Sequence, residues 1–204
     1  MDDCGYNMSF TTGGLFLLES VKLATLFLEL GDWDAVRTKV ATGNLLQTRT
    51  QATFTRIYRE ISLRLKTLSP DELNFLVGSS RPDQVHILWI AICRHHKFIG
   101  EFASEQLRER CLSLNFGLSY DDFEAFFNRK SEWHRDLDSI KPATRRKLKQ
   151  VLFRMLHEAD LLTSDHTINP PILSRELLRL MRQNGGNDID FFPVLESNLK
   201  GNKR

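Results

Sequence analysis

Positive charge in this sequence is gathered into two short segments, and that arrangement carries the clearest chemistry in the chain. Between Leu45 and Leu68 stand Arg49, Arg56, Arg59, Arg64 and Lys66 against a single acid, Glu60. Between Lys141 and His157 stand Lys141, Arg145, Arg146, Lys147, Lys149 and Arg154 with no acid at all. The whole chain is only +2, so everything outside these segments is net acidic. A near-neutral protein with cations concentrated in two places has a localised field, and nucleic-acid phosphate is its common counterpart. The plain alternative is two solvated helix faces.

Helical periodicity places these cations on defined faces. Stepping ~100° per residue from Ile57, the core face of a helix over Thr48 to Leu68 is Phe54, Ile57, Tyr58, Ile61, Leu65 and Leu68. Arg49, Ala52, Arg56, Arg59, Leu63 and Lys66 fall opposite. Thr50, Gln51 and Thr53 near its start are polar groups able to reach phosphate or base edges. A short helix from the N-cap Asp32, a Gly43-Asn44 turn and this basic helix follow the order of a helix-turn-helix, although any antiparallel helix pair reads alike.

The second basic segment reads as a helix over Ala143 to Leu162, introduced by Lys141-Pro142. Its core stripe is Leu148, Val151, Leu152, Met155, Leu156 and Ala159; Arg146, Lys147, Gln150, Arg154 and His157 lie on the far side, with Arg145 and Lys149 on the flanks. The cations crowd the first two turns, where the helix dipole disfavours them. An anion bound there accounts for that placement. Intramolecular pairing with Glu132, Asp136 and Asp138 is the competing account. The polar stretch Thr163 to Ile168, a small hairpin or a loop, is followed by Pro170-Pro171, so the segment has the look of a recognition helix and wing. Asn and Gln are sparse on both faces, which predicts phosphate contact with weak sequence preference. Each such contact contributes about −0.9 to the slope of log K against log salt.

The remaining elements also read as helices. Leu15 to Leu30 repeats apolar residues at helical spacing and stops at Gly31. Ser69-Pro70-Asp71-Glu72 is a capping box, and Ser119-Tyr120-Asp121-Asp122 a second capping pattern. Val85 to Cys93 is apolar on nearly every side, as in a buried central helix. Gly100 is expected to kink the next helix, and Asn115 to Gly117 to break it. Ser174 caps a last helix ending near Asn184, and the tail Lys200 to Arg204 is expected to be disordered. The expectation is an all-α multi-helix bundle with helix-turn-helix or winged-helix character. Its two parts are 1–114, N-terminal and helical, and 115–204, winged-helix-like.

Three widely spaced cysteines without a CxxC pair point to a reducing compartment. The longest apolar run, Ile87 to Cys93, falls far short of the ~20 residues that span a bilayer, and no signal-like start is present, so a cytoplasmic protein without membrane contact is expected. No nucleotide-loop, zinc-protease, nucleophile-elbow or EF-hand pattern occurs. Adjacent His95 and His96 point about 100° apart on a helix and do not readily share a metal with Cys93. Thr12-Gly13-Gly14 before a helix is a weak anion-site pattern that backbone geometry explains as well. No catalytic residue, metal or cofactor is assigned.

Several strings are more specific: Ser9-Phe10-Thr11-Thr12-Gly13-Gly14-Leu15, Gly31-Asp32-Trp33-Asp34-Ala35-Val36-Arg37, Asn44-Leu45-Leu46-Gln47-Thr48-Arg49-Thr50, Arg59-Glu60-Ile61, Glu101-Phe102-Ala103, and Thr144-Arg145-Arg146-Lys147-Leu148 through Arg154-Met155-Leu156. From about Ser9 to Met181 the chain resembles the BrxA family, the small A-component of bacterial BREX phage-exclusion systems. That resemblance implies an all-helical protein with winged-helix character and some likeness to the antitermination factor NusB. It also implies double-stranded DNA binding, in company with other BREX proteins, in a defence system that methylates host DNA and blocks phage replication. The family offers no catalytic motif to carry over, so the site residues rest on the charge argument. An adaptor that meets acidic protein partners and an RNA binder are the rival readings.

Overall fold

A computed structural model describes residues 5–183, 185 and 187–194; Cys4, Asn184 and the tail Lys200 to Arg204 lie outside that range. The helices are α1 Leu17–Leu30, α2 Trp33–Thr42, α3 Gln51–Leu65, α4 Pro70–Gly78, α5 Arg81–His95, α6 Lys97–Phe102, a π-helical turn Ala103–Arg108, α7 Glu109–Leu112, α8 Tyr120–Ser131, α9 Arg135–Asp138, α10 Pro142–Glu158 and α11 Arg175–Gln183, then a 3-10 turn Asn187–Phe191. The protein is all-α: among the described residues the only β pairing is two isolated antiparallel bridges, Gly117 with Thr167 and Leu162 with Ile168. The chain divides into two compact units, Leu15–His95 and Met1–Gly14 with His96–Arg204.

The first unit packs α1 against α2, α3, α4 and α5. Every residue of α5 from Val85 to Cys93 is buried, which is the burial its unbroken apolar pattern predicts. Asp32 caps α2 through the Ala35 amide, and Gly31 ends α1 with φ +70, a conformation that favours glycine. Ser69 and Glu72 close the expected capping box on α4. The same Glu72 accepts two hydrogen bonds from Arg94 of α5, at 2.7 and 2.9 Å. One carboxylate thus caps a helix and ties it to its neighbour.

The third helix is shorter than its pattern suggests. Thr50 has extended backbone and its hydroxyl accepts from the Thr53 amide at 3.2 Å, so α3 starts at Gln51 and not at Thr48. Arg49 therefore precedes the helix. The connection from Gly43 to Thr50 exceeds the ~3–4-residue turn of a helix-turn-helix.

The second unit is built on phenylalanine. Phe98 meets Phe123, Phe126 and Phe127 at centroid distances of 5.9, 5.1 and 5.8 Å, and Phe102 meets Phe126 at 5.2 Å. The N-terminal arm belongs to this cluster: Phe10 is fully buried and lies 5.2 Å from the His96 ring. Tyr6 packs edge-on to Phe98 and donates to Glu101 at 2.5 Å. Gly100 lies within α6, and the helix changes to a π turn at Ala103–Arg108, in a stretch where no glycine or proline announces it.

Candidate nucleic-acid interface

Helix α10 presents its cations on one solvent-facing stripe because the opposite stripe is committed to the core. Leu148, Val151, Leu152, Phe153, Met155 and Leu156 are buried. Lys141, Ala143, Arg146, Lys147, Gln150 and Arg154 are exposed. Among the described residues no carboxylate pairs with Lys141, Arg146, Lys147 or Arg154. Lys141 occupies the N-cap, where no side chain caps the helix, and Pro142 follows as the first helical residue. Three of these cations, Lys141, Arg146 and Lys147, therefore share the N-terminal end of α10 with its first-turn amides, and Arg154 lies two turns further along.

The flanking cations are disposed differently. Arg145 lies 2.5 Å and Lys149 2.7 Å from the two carboxylate oxygens of Glu124 on α8. Arg145 also donates to the Glu124 carbonyl at 3.0 Å and to Asn128 Oδ1 at 2.7 Å. Its guanidinium lies 4.1 Å from the Phe127 ring centroid, within cation–π range. Intramolecular pairing therefore does occur, through Glu124 and not through Glu132, Asp136 or Asp138, and it takes two of the six cations. Glu124 was missed because it lies on a separate helix; its position beside Phe123 was the signal available.

His157 leaves the exposed stripe: it is half-buried, with Nδ1 2.9 Å from the Leu162 carbonyl oxygen, where the chain turns into the hairpin. Thr163 to Ile168 is a bridged hairpin, with the Thr163 amide donating to the Thr167 carbonyl at 2.9 Å. It docks on the segment before α8, since Ile168 donates to Phe116 and Leu118 donates to His166. Asp165 stands at its tip; hydrogen bonds from the Thr163 and Thr167 hydroxyls hold its carboxyl below the usual aspartate value. The hairpin bears no Lys or Arg.

On α3, Arg56 and Arg59 are exposed, as are Arg49 and Gln51 just ahead of or at its first turn, and no carboxylate among the described residues pairs with these arginines. Lys66 is exposed too, its ammonium 5.8 Å from the Trp33 ring centroid. Thr50 and Thr53 are occupied locally: the Thr50 hydroxyl donates to the Thr53 hydroxyl at 2.9 Å while capping the helix. Arg64 is buried and donates to Glu60 at 2.7 Å, one turn earlier. That pairing removes the only acid of the segment and one of its cations from solvent together.

The Thr12-Gly13-Gly14 loop has a neighbour of its own. Gly13 has φ +87, and a Cβ on Gly14 would come within 2.2 Å of a Glu158 carboxylate oxygen. A side chain at Gly14 would have to push the Glu158 carboxylate, at the end of α10, away from the loop. Among the described residues no group of three His, Cys, Asp or Glu side chains is placed to hold a metal ion, and no helix is long and apolar enough to cross a membrane.

The BrxA family profile matches residues 5–185. The chain belongs to the BrxA family. It is 25% identical over 183 residues to the BREX protein BrxA of Bacillus cereus (strain H3081.97), covering 88% of this chain and 92% of that one. It is 24% identical over 185 residues to the BREX protein BrxA of Paramagnetospirillum magneticum, covering 88% and 91%. The fold matches the crystal structure of an uncharacterized protein from Magnetospirillum magneticum with a TM-score of 0.81 at 20% identity, over 93% of this chain and 98% of that one. BrxA-family membership covers the arm, both basic helices and the hairpin.

Proposed function

We propose that this chain is a non-enzymatic, cytoplasmic, double-stranded DNA-binding component of a BREX phage-defence system, gripping phosphates with little sequence preference. The observation that carries the reading is the set of cations on α10: Lys141, Arg146, Lys147 and Arg154, exposed and unpaired among the described residues, the first three around the uncapped N-terminal end of the helix. The order of elements supports it. A helical stretch over α6 and α7, a bridged segment at Gly117, α8, α10 and a bridged hairpin follow the sequence of a winged helix, with α10 in the recognition position. The acidic, cation-free hairpin leaves phosphate contact to the helix. Arg49, Arg56 and Arg59 supply a second cationic face on the other unit.

A protein-adaptor reading is favoured by two exposed apolar side chains, Trp133 at 80% and Ile172 at 92%. A salt titration of the intact chain on duplex DNA, with structured RNA as competitor, separates the readings. Duplex retention that weakens steeply with salt and resists RNA competition is expected. Retention undiminished in molar salt, displacement by RNA, or no retention at all would overturn the assignment.

A further inference from the structure

Glu124 places its whole carboxylate between two cations that the α10 stripe would otherwise gain. Its Oε2 lies 2.5 Å from Arg145 and its Oε1 2.7 Å from Lys149. Both cationic side chains are about one-fifth exposed, at 22% and 18%, so this pair is less screened by water than an ordinary surface bridge. The carboxylate charge is not what positions Arg145. The Glu124 carbonyl, the Asn128 side chain and the face of Phe127 already hold that guanidinium. Lys149 in turn lies 5.2 Å from the Tyr120 ring centroid. What a carboxylate adds over a neutral amide of the same shape is cancellation of charge.

We infer that Glu124 sets the strength of the duplex-binding face by withholding Arg145 and Lys149 from phosphate. The inference rests on the duplex reading above. With Glu124 charged, α10 offers four unpaired cations to a polyanion; removing that single charge releases one to two more. Each added ion contact contributes about −0.9 to the salt slope, so the slope steepens by about 0.9 to 1.8, a further ~8- to 60-fold fall in affinity for each tenfold rise in salt. A protein that meets much competing duplex gains from a face held below its maximum, because phosphate contact carries affinity without sequence information.

The test is Glu124→Gln in the full chain, which keeps an acceptor for both cations and removes only the charge. Fluorescence anisotropy on a short random duplex, across a salt series, reads the slope. The expected result is tighter binding at low salt and a slope steeper by one to two contacts' worth, with an unaltered thermal melt. An unchanged or shallower slope in a folded variant overturns the inference. Arg145→Met with Lys149→Met, made together with Glu124→Gln so that no carboxylate is left unpaired, provides the second measurement: a slope equal to wild type supports the inference, and a drop of about 1.8 refutes it. The duplex reading fails separately, if the wild-type chain does not bind or if alanine at Arg146, Lys147 and Arg154 leaves its slope intact; the inference then falls with it.

Discussion

Helices α3 and α10 both carry a surplus of cations, yet they handle the surplus in opposite ways. On α3 it is taken inward, with Arg64 buried against Glu60 on the same helix. On α10 it is met from outside, by Glu124 on α8. In both cases the cations left over face solvent without a carboxylate paired to them among the described residues. The comparison teaches that a count of charges along a segment overstates the field it projects. The field is set by the cations that lack a partner one turn away or on a neighbouring helix.

The sharpest way to break the comparison is to remove an inward cation. Arg64→Ala takes from the buried Glu60 carboxylate its ion-pair partner at 2.7 Å, a loss that costs about 3–5 kcal/mol. Denaturant unfolding should show that loss as a lower midpoint, with the slope m unchanged. A loss below about 1 kcal/mol would mean that Glu60 finds water or another donor, and the pair would then count as surface charge.

The outward cations should give the mirror result. Alanine at Arg146, Lys147 and Arg154 should flatten the duplex salt slope by about 2.7. The same variant should leave stability within about 0.5 kcal/mol of wild type, since exposed side chains without partners contribute little to it. The Arg56→Ala, Arg59→Ala pair on α3 should flatten the slope by about 1.8 if both faces touch DNA together. A change from α10 and none from α3 would assign the interface to one unit alone.

Periodicity along the chain makes most of this legible. The apolar stripes of α3 and α10 lie where a 3.6-residue repeat puts them, and the Ser69 and Ser119 caps act at their expected amides. The misses share a physical cause. Glu124 meets Lys149 across a separation of 25 residues, and a repeat along one helix holds no information about the neighbour it faces. The π turn at Ala103–Arg108 arises in a stretch without glycine or proline, so no local residue marks it. The start of α3 slipped to Gln51 because two threonines compete for the cap, and Thr50 rather than Thr48 reaches the right amide. The neighbour of Gly14 is also non-local, since it is Glu158 at the far end of the chain's second basic helix.

Lys130 is a further inward cation and yields the smallest effect. It lies 2.5 Å from Glu101 and 2.6 Å from Glu105, while Tyr6 donates to Glu101 from the N-terminal arm. Burial by itself would raise the Glu101 carboxyl, but hydrogen bonds from Lys130 and Tyr6, with the charges of Lys130 and Lys97, hold it below the usual carboxylate value. A carboxyl depressed in the folded state contributes stability above its unfolded value, and that stability is lost as pH falls through the folded one. The wild-type chain should therefore lose stability on acidification below the ordinary glutamate range. Glu101→Gln, which keeps an acceptor for Tyr6, should flatten that acid limb and leave the duplex salt slope unchanged at neutral pH. An acid limb as steep in the variant as in wild type would place the titrating group elsewhere. A shift in the salt slope would show that an internal cation cluster reaches the binding face, and the division into inward and outward cations would then fail.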